Sequence, residues 1–241
     1  MINIVIPMAG EGSRFKDVGI NTPKPLIEID GKTLIEHAIS TLGIDGRFIF
    51  ITKKYSDPLS NKKLSEILSK LAPNHIEICT DRPQYGTSYS ALLAKDYINN
   101  DEELILTNCD QHLAWDPKSF LEKSRADGID GSILVHNSSS HKHSYAVIKN
   151  NFVTHLAEKN PISKNALVGL HYWKHGKDFV ESAEKLVSEC KHSGKESYVS
   201  LTYNYLIKNN KKISIYKIKN DQYICLGTPA DLENYRKKTK K

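Results

Sequence analysis

Gly10, Gly12, Ser13 and Arg14 follow closely on the apolar run Ile2–Ile6, and ten residues after Arg14 comes the unit Pro23-Lys24-Pro25. Glycines let a backbone approach an anion closely, successive N–H groups can form a nest for it, and two fixed cations can then hold a polyphosphate. Prolines on either side of Lys24 favour an extended, non-helical segment for that lysine. The pattern is not the dinucleotide fingerprint, because G-x-G-x-x-G needs glycine at position 15, where Phe15 stands. Nor does the G-K-[ST] of a P-loop follow. From residue types alone, the stretch reads either as a phosphate cradle or as a strand-to-loop turn with two surface cations.

The elements that would position these residues are legible from periodicity. Short β-branched runs at 2–6, 47–52, 75–79 and 103–108 alternate with amphipathic segments of helical length at 33–42, 61–71 and 88–98. Continuous apolar strands between helices imply a parallel sheet covered on both faces. After residue 130 the runs "GSILVH", "SYAVIK" and "FVTHLA" are close-set and alternating, which predicts antiparallel strands and hence a mixed sheet or a small second lobe. "LVGLHYW" (167–173), helices over about 177–192 and 198–208, the strand "KISIYKI" (212–218) and a closing helix after "GTPADL" complete the chain. The expected fold class is α/β, a Rossmann-like three-layer sandwich with a mixed, mostly parallel central sheet and a small antiparallel extension. One domain over residues 1–235 is expected, followed by a basic tail at 236–241.

With 241 residues, 39% hydrophobic and 26% charged, the composition is that of an ordinary globular protein with a sizeable core. No run approaches the roughly 18 apolar residues of a membrane span, and the N-terminus has no basic segment followed by a long apolar one, so a cytoplasmic setting is expected. Cys79, Cys109, Cys190 and Cys225 lie tens of residues apart, which suggests reduced thiols rather than metal knuckles or a disulfide framework. The formal charge of +6 owes five positive charges to Arg236–Lys241, and the body without them is nearly neutral. Lysines outnumber arginines 29 to 5, which argues against a nucleic-acid partner, since phosphate and base readers lean on the arginine fork.

"GEGSRF…TPKPLIEIDGKTLIEHAI" resembles the G-x-G-[ST]-R…P-K-P-L signature of the sugar-phosphate nucleotidylyltransferases. The likeness continues through "QYGTSYSALLA" (84–94), similar to that family's nucleobase loop, and "LILTNCDQ" (104–111), where the family has a strand ending in a metal-binding aspartate. "LAEKNPIS" (156–163) is similar to its E-K-P element, "ALVGLHYW" (166–173) to its acceptor-facing strand, and "CLGTPADLENY" (225–235) to its terminal D-x-G-T-P motif. Six motifs in the family's order span residues 1 to about 235.

The resemblance implies transfer of a nucleotidyl group from a nucleoside triphosphate to a phosphorylated acceptor, with Mg²⁺ as cofactor and pyrophosphate released. It assigns catalytic roles to Arg14, Lys24, Asp110 and Lys159. Ala9, Gly10, Gly12 and Ser13 would meet the triphosphate, and Gly86, Thr87 and Ser88 the base. Glu158, Lys159, Gly169 and His171 would meet the acceptor, and Asp110 the metal. Plainer readings of the same residues stay open: a helix cap for Asp110, a solvated pair for Glu158 and Lys159, a cap for Thr87 and Ser88, a bulge for Gly169. One position departs from the family pattern, because the second metal-binding aspartate is replaced by Cys225. Asp221 or Glu196 could supply the missing carboxylate, or the chain could be an inactive nucleotide-binding module. "NCDQHLAWD" and "ESYVSLTYNYLI" resemble the branch of the family found in capsular and surface-polysaccharide synthesis. Within it the resemblance favours CTP as donor and phosphoglutamine as acceptor, with hexose 1-phosphate as the alternative. The resemblance brings no membrane partner. A homodimer is compatible with the sequence, which marks no face for it. His141 and His143 form an H-x-H that reads as a metal pair or, more simply, as a polar loop.

Overall fold

The computed structural model describes residues 1–81 and 85–239. Its centre is a nine-stranded sheet whose main path runs Phe152–Ala157, Tyr145–Lys149, Asn165–Trp173, Glu103–Thr107, Ile2–Pro7, Arg47–Lys53, Ile76–Thr80. The last four of these are mutually parallel, as their unbroken apolar sequences imply. Asn165–Trp173 joins this block antiparallel to Glu103–Thr107, and also pairs antiparallel with Gly131–Asn137, which in turn carries Ile213–Lys217 in parallel. The chain is thus α/β with a mixed sheet, and the antiparallel strands expected after residue 130 extend that same sheet.

Both faces of the sheet are buried, and side-chain alternation sorts the residues between them. Ile4, Ile6, Phe50, Ile105 and Leu134 pack with Ile35, Leu42, Leu64, Leu68 and Phe120 of the helices Leu34–Leu42, Pro58–Leu71 and Pro117–Ser124. Their sequence neighbours Val5, Ile49, Ile51, Leu104, Leu106 and Ile133 pack on the other side with Ala91, Ala94, Phe179, Ala183 and Tyr203. Those residues come from the helix Thr87–Leu92, its C-terminal continuation, and the helices Gly176–Ser193 and Val199–Lys208. A third cluster ties Phe15, Ile27, Ile29 and Leu34 to Leu226, Leu232 and Tyr235. Phe15, where a dinucleotide loop would need glycine, is therefore the anchor that fixes the glycine-bearing loop to the C-terminal segment.

Several boundaries differ from the sequence reading for identifiable reasons. The helix expected over 88–98 is two pieces, Thr87–Leu92 and Lys95–Ile98, broken at Leu93-Ala94. The segment holding Lys24 is one 3-10 turn, Lys24–Leu26, because Pro25 sits at the second helical position, where its missing N–H costs nothing. The closing helix begins at Pro229, inside "GTPADL", and runs through Arg236 to Thr239, so it extends into the basic run; Lys240 and Lys241 lie outside the described residues. Two small antiparallel pairs escaped periodicity: Glu28–Ile29 with Lys32–Thr33, and Gln111–Leu113 with Tyr223–Cys225. Among the described residues no helix is long and apolar enough to cross a membrane.

The strand Asn165–Trp173 is bulged: its register against Gly131–Asn137 shifts between Leu167 and His171. Gly169 sits in that bulge at φ +93, and a Cβ there would lie 2.1 Å from Asn108 Nδ2. Replacing Gly169 with alanine should therefore cost about 1–3 kcal/mol, from the left-handed backbone and the displaced amide together. For a chain of this size that is a melting-temperature drop on the order of 5 °C, read by thermal denaturation monitored by circular dichroism.

Candidate functional site

Open α/β sheets bind ligands beyond the carboxyl ends of their parallel strands. Here Ile2–Pro7 leads into the loop containing Gly10, Gly12, Ser13 and Arg14, and Glu103–Thr107 leads into Asn108-Cys109-Asp110. A cleft of about 790 Å³ opens there, lined among others by Arg14, Thr87, Asp110, Glu158, Lys159, Gly169 and His171. The motifs that are far apart in sequence thus share one cavity.

Lys24, itself outside the cleft lining, donates from Nζ to Asp110 Oδ2, which is in it, at 2.5 Å. Burial alone would discharge the lysine, but the Asp110 carboxylate, helped by Cys109, outweighs it and moves the lysine's pKa up. Lys24 therefore stays a cation throughout the physiological range. Asp110 is held from behind by its own backbone, since its carbonyl accepts from Leu226 N at 2.8 Å. A side chain on Gly227 would come within 2.6 Å of Asp110 Oδ2, so this glycine keeps the carboxylate accessible. Cys225, paired with Gln111 in the small two-stranded sheet, is the adjacent thiol. Burial pushes it up to about 12, with the Asp110 and Asp231 carboxylates adding to the shift.

This donor set answers whether a divalent ion fits. Mg²⁺ prefers hard oxygen ligands, and a neutral thiol is not one. Among the described residues no group of three or more His, Cys, Asp or Glu side chains is arranged to hold a metal. The residues fit an ion anchored by the Asp110 carboxylate and completed by oxygens that come with a phosphate ligand. The carboxylates considered from sequence lie elsewhere: Asp221 is exposed on the turn Asn220–Gln222, and Glu196 accepts from the Tyr198 hydroxyl. Besides Glu158, the other carboxylate lining the cleft with Asp110 is Asp231. It accepts from Thr228 Oγ1 at 2.6 Å, and Thr228 caps the closing helix in return, its Oγ1 accepting from Asp231 N at 3.2 Å. The T-x-x-D spacing of Thr228 and Asp231 was the sequence signal for it.

The glycine-bearing loop carries Ala9 buried against the core and Arg14 exposed at the cleft wall. Gly12 and Ser13 start the single helical turn Ser13–Lys16. Glu11 draws in Lys53 and also Lys16, at 3.3 Å for the latter, and the Lys53 bond is the largest influence holding the Glu11 carboxyl low.

Opposite that loop stands Gly86-Thr87-Ser88; Gln84, the first residue of this motif, lies outside the described residues. Gly86 has φ +104 and its backbone abuts Ser197 so closely that a Cβ would sit 2.4 Å from Ser197 N and O. Thr87 begins its helix and its Oγ1 accepts from Val199 N at 3.1 Å. Ser88 is fully buried with Oγ unpartnered.

At the far wall Glu158 accepts from the hydroxyls of Ser144 and, at 3.2 Å, Ser200. Lys159 adopts a left-handed φ of +52 and donates from Nζ to Tyr198 Oη at 2.9 Å. That bond is the main cause of its raised pKa. Neither residue is merely a solvated pair. Gly169 lines the cleft, but the space at its Cα is filled by Asn108. His171 is 6% exposed, packed in a stack with Trp173 and Tyr203, and burial takes it down to about 3. His143, from the loop the H-x-H was expected to occupy, packs edge-on against His136, which burial and His143 lower to about 4. Lys142 from the same loop faces Asp231 at 4.0 Å. Asn108, His136, Lys142, Tyr223 and Asp231 line the cleft without having been singled out from sequence.

Fold and cleft together define an α/β protein that gathers cations, glycines and one strand-end carboxylate around a polyanion-sized cavity. The chain belongs to the nucleotidyl transferase family, whose model matches residues 4–240. It is 25% identical over 236 residues to the bifunctional protein GlmU of Methanocaldococcus jannaschii, an alignment covering 96% of this chain and 52% of that one. A 129-residue match to the Methanococcus vannielii GlmU is 30% identical and covers 53% and 29%. The chain therefore spans about half the length or less of these curated relatives. The crystal structure of the nucleoside-diphosphate-sugar pyrophosphorylase from Vibrio cholerae RC9 superposes with a TM-score of 0.80 at 23% identity, covering 97% of this chain and 99% of that one. The inositol-1-phosphate CTP transferase from T. maritima gives 0.73 at 17% identity, covering 99% and 95%.

The buried imidazoles predict an acid limb in stability. Folded-state values of about 4 for His136 and about 3 for His171 lie below the ordinary 6.5. Over that window the unfolded chain binds more protons, so stability is complete above about pH 6.5 and falls as the pH drops toward 4. At about 1.4 kcal/mol per pH unit per group, the loss should reach a few kcal/mol. Thermal melts from pH 7.5 to 4 should show this decline, and His136→Asn should flatten it.

Proposed function

We propose that the chain transfers a nucleotidyl group from a nucleoside triphosphate to the phosphate of a small-molecule acceptor, releasing pyrophosphate. The observation that carries this reading is the Lys24–Asp110 pair at 2.5 Å, whose aspartate lines the same cleft as Arg14 and Lys159. Both substrates are polyanions, and two unit charges 4 Å apart repel by about 4 kcal/mol at an effective dielectric of 20. Neutralisation and in-line placement are therefore the main tasks. An acceptor phosphate oxygen attacks the α-phosphorus, the bond from that phosphorus to the β-phosphate oxygen breaks, and pyrophosphate leaves with the electron pair. A phosphate whose second pKa is near 6 is already ionised at neutral pH, so no side chain need remove a proton.

Lys24, permanently protonated, bridges the α-phosphate and the incoming phosphate. Arg14 meets the β- and γ-phosphates, with Gly10, Gly12 and Ser13 offering backbone donors beside Ala9. Gly86, Thr87 and Ser88 meet the base, Lys159 the acceptor phosphate, and Glu158 an acceptor donor group. Asp110 would hold Mg²⁺, which when bound supplies positive charge to the triphosphate oxygens.

The favoured donor is CTP and the favoured acceptor phosphoglutamine, within capsular or surface-polysaccharide synthesis. Support for an acceptor bearing both signs of charge comes from Lys142 and Asp231, which offer a cation and an anion 4.0 Å apart on the cleft wall. A hexose 1-phosphate acceptor is the second reading, favoured by the sugar-nucleotide activity in the name of the Vibrio cholerae neighbour.

Pyrophosphate release measured with each of the four nucleoside triphosphates against phosphoglutamine and several hexose 1-phosphates tests the reading. CTP with phosphoglutamine should give the highest kcat/KM, and release from no combination would mark a nucleotide-binding module without turnover. Lys24→Ala should lower kcat/KM by roughly 10²–10³, the scale of losing one preorganised charge donor. Asp231→Asn should raise the KM for phosphoglutamine about tenfold, the scale of one lost charged hydrogen bond, and leave that for a hexose 1-phosphate unchanged.

A further inference from the structure

The two walls of the cleft are joined by one short segment, Glu196–Ser200. Ser197, wholly buried, binds the base-side loop with every polar group it has. Its N and Oγ both donate to the Tyr85 carbonyl, at 2.9 and 2.8 Å, and its carbonyl accepts from Ser88 N at 2.9 Å. Val199 N adds the bond to Thr87 Oγ1, and the backbone of Gly86 lies flat against Ser197. The side chains on either side of Ser197 face the other wall. Tyr198 Oη accepts from Lys159 Nζ at 2.9 Å and donates to Glu196, while Ser200 Oγ donates to Glu158. Glu158 and Lys159, assigned above to the acceptor, are thus bonded to a segment whose backbone is bonded to Thr87 and Ser88 and packed against Gly86, the residues assigned to the base.

We propose that Glu196–Ser200 couples occupation of the base pocket to placement of the acceptor-binding groups, with the Tyr198 hydroxyl as the positioning group for Lys159. The proposal rests on the nucleotidyl-transfer reading for what the two pockets bind. A base entering beside Gly86-Thr87-Ser88 displaces or tightens a loop that cannot move without Ser197. Tyr198 is the next residue along a backbone pinned on both sides. The lysine that Tyr198 holds is set on a left-handed residue, so its reach depends on this partner more than on its own flexible backbone. By linkage, the acceptor phosphate should strengthen nucleotide binding by the same factor that nucleotide strengthens acceptor binding.

The probe is pyridoxal 5′-phosphate, a phosphate that condenses with a lysine amine to an imine and is fixed by borohydride. Labelling of Lys159 is read by peptide mass spectrometry, and nucleotide affinity by calorimetry on the same preparation. In the wild type, saturating CTP should change the labelling rate of Lys159 about fivefold or more, the lower end of ordinary coupling energies. In Tyr198→Phe, which keeps the ring and removes the hydroxyl, Lys159 labelling should ignore CTP, while CTP affinity stays within about twofold of wild type. Pyrophosphate assays should show the matching split: acceptor KM at saturating nucleotide raised about tenfold by Tyr198→Phe, and nucleotide KM unaltered when the acceptor is held far below its own KM. If CTP binds and Lys159 labelling does not respond in the wild type, or responds equally in Tyr198→Phe, the coupling is wrong and the transfer reading stands. If none of the four nucleoside triphosphates binds, the transfer reading falls and takes the coupling with it.

Discussion

A lysine and an aspartate that neither water nor solvent ions can fully reach must neutralise one another, and much of the cleft is arranged around that requirement. Lys24 and Asp110 come from loops 86 residues apart in sequence, yet each is fixed before they meet. Lys24 is set by the 3-10 turn between Pro23 and Leu26, whose apolar residues are buried. Asp110 is set by the end of Glu103–Thr107 and by the bond its carbonyl accepts from Leu226. Breaking a buried pair by deleting one partner strands the other charge, which is why so much backbone is spent holding both. The same geometry leaves a cation facing a cavity in which anions would otherwise repel one another.

Other lysines in and near the cleft are also engaged. Lys142 leans on Asp231 and Lys159 on Tyr198 in its lining, and Lys53 and Lys16 lean on Glu11 beside Arg14's loop. Exposed pairs of this kind are ordinarily worth about 0–1 kcal/mol, so an incoming polyphosphate can exchange them at little cost. The central pair differs in degree, because both of its side chains are largely withdrawn from water, 25% and 16% exposed. A ligand that offers Lys24 a phosphate oxygen must leave Asp110 something positive in return, and an ion travelling with the phosphates meets that need. Cys225 then ceases to be an anomaly. A thiol kept neutral by burial adds no third negative charge beside Asp110 and Asp231, which already face Lys24 and Lys142 respectively.

Much of this was legible in the sequence, for physical reasons that also explain what was not. The four parallel strands were readable because their runs are β-branched, short and mostly apolar, and the helix Leu34–Leu42 because its apolar residues recur at helical spacing; Thr33 and Glu36 close its first turn as a capping box. The loop bearing Gly10, Gly12 and Arg14 and the turn bearing Lys24 stood out because their residue types have few other uses in combination. Two-residue strands such as Glu28–Ile29 carry no period to detect. The roles of Tyr198, Asn108 and Asp231 depend on pairings across the fold, between Asn165–Trp173 and the loop after Glu103–Thr107, or between the closing helix and the loop before Tyr145–Lys149. Such pairings leave no mark on local spacing; the T-x-x-D of Thr228 and Asp231 marks only the start of the closing helix.

Gly169 shows how two readings of one residue can describe the same backbone. A glycine in the strand facing the acceptor invites the inference that a ligand's bulk comes against it, and the alternative of a bulge looks like its opposite. The strand satisfies both descriptions: the register slips at this glycine, and the opened space is taken by the amide of Asn108, which itself lines the cleft. The absent side chain therefore admits a protein group that reaches the cavity in the strand's place. What a ligand meets there is an amide able to donate and accept, on the loop that ends two residues later in Asp110. The glycine thus shapes the cleft through the placement of that loop, which carries Asp110 and so the lysine–aspartate pair.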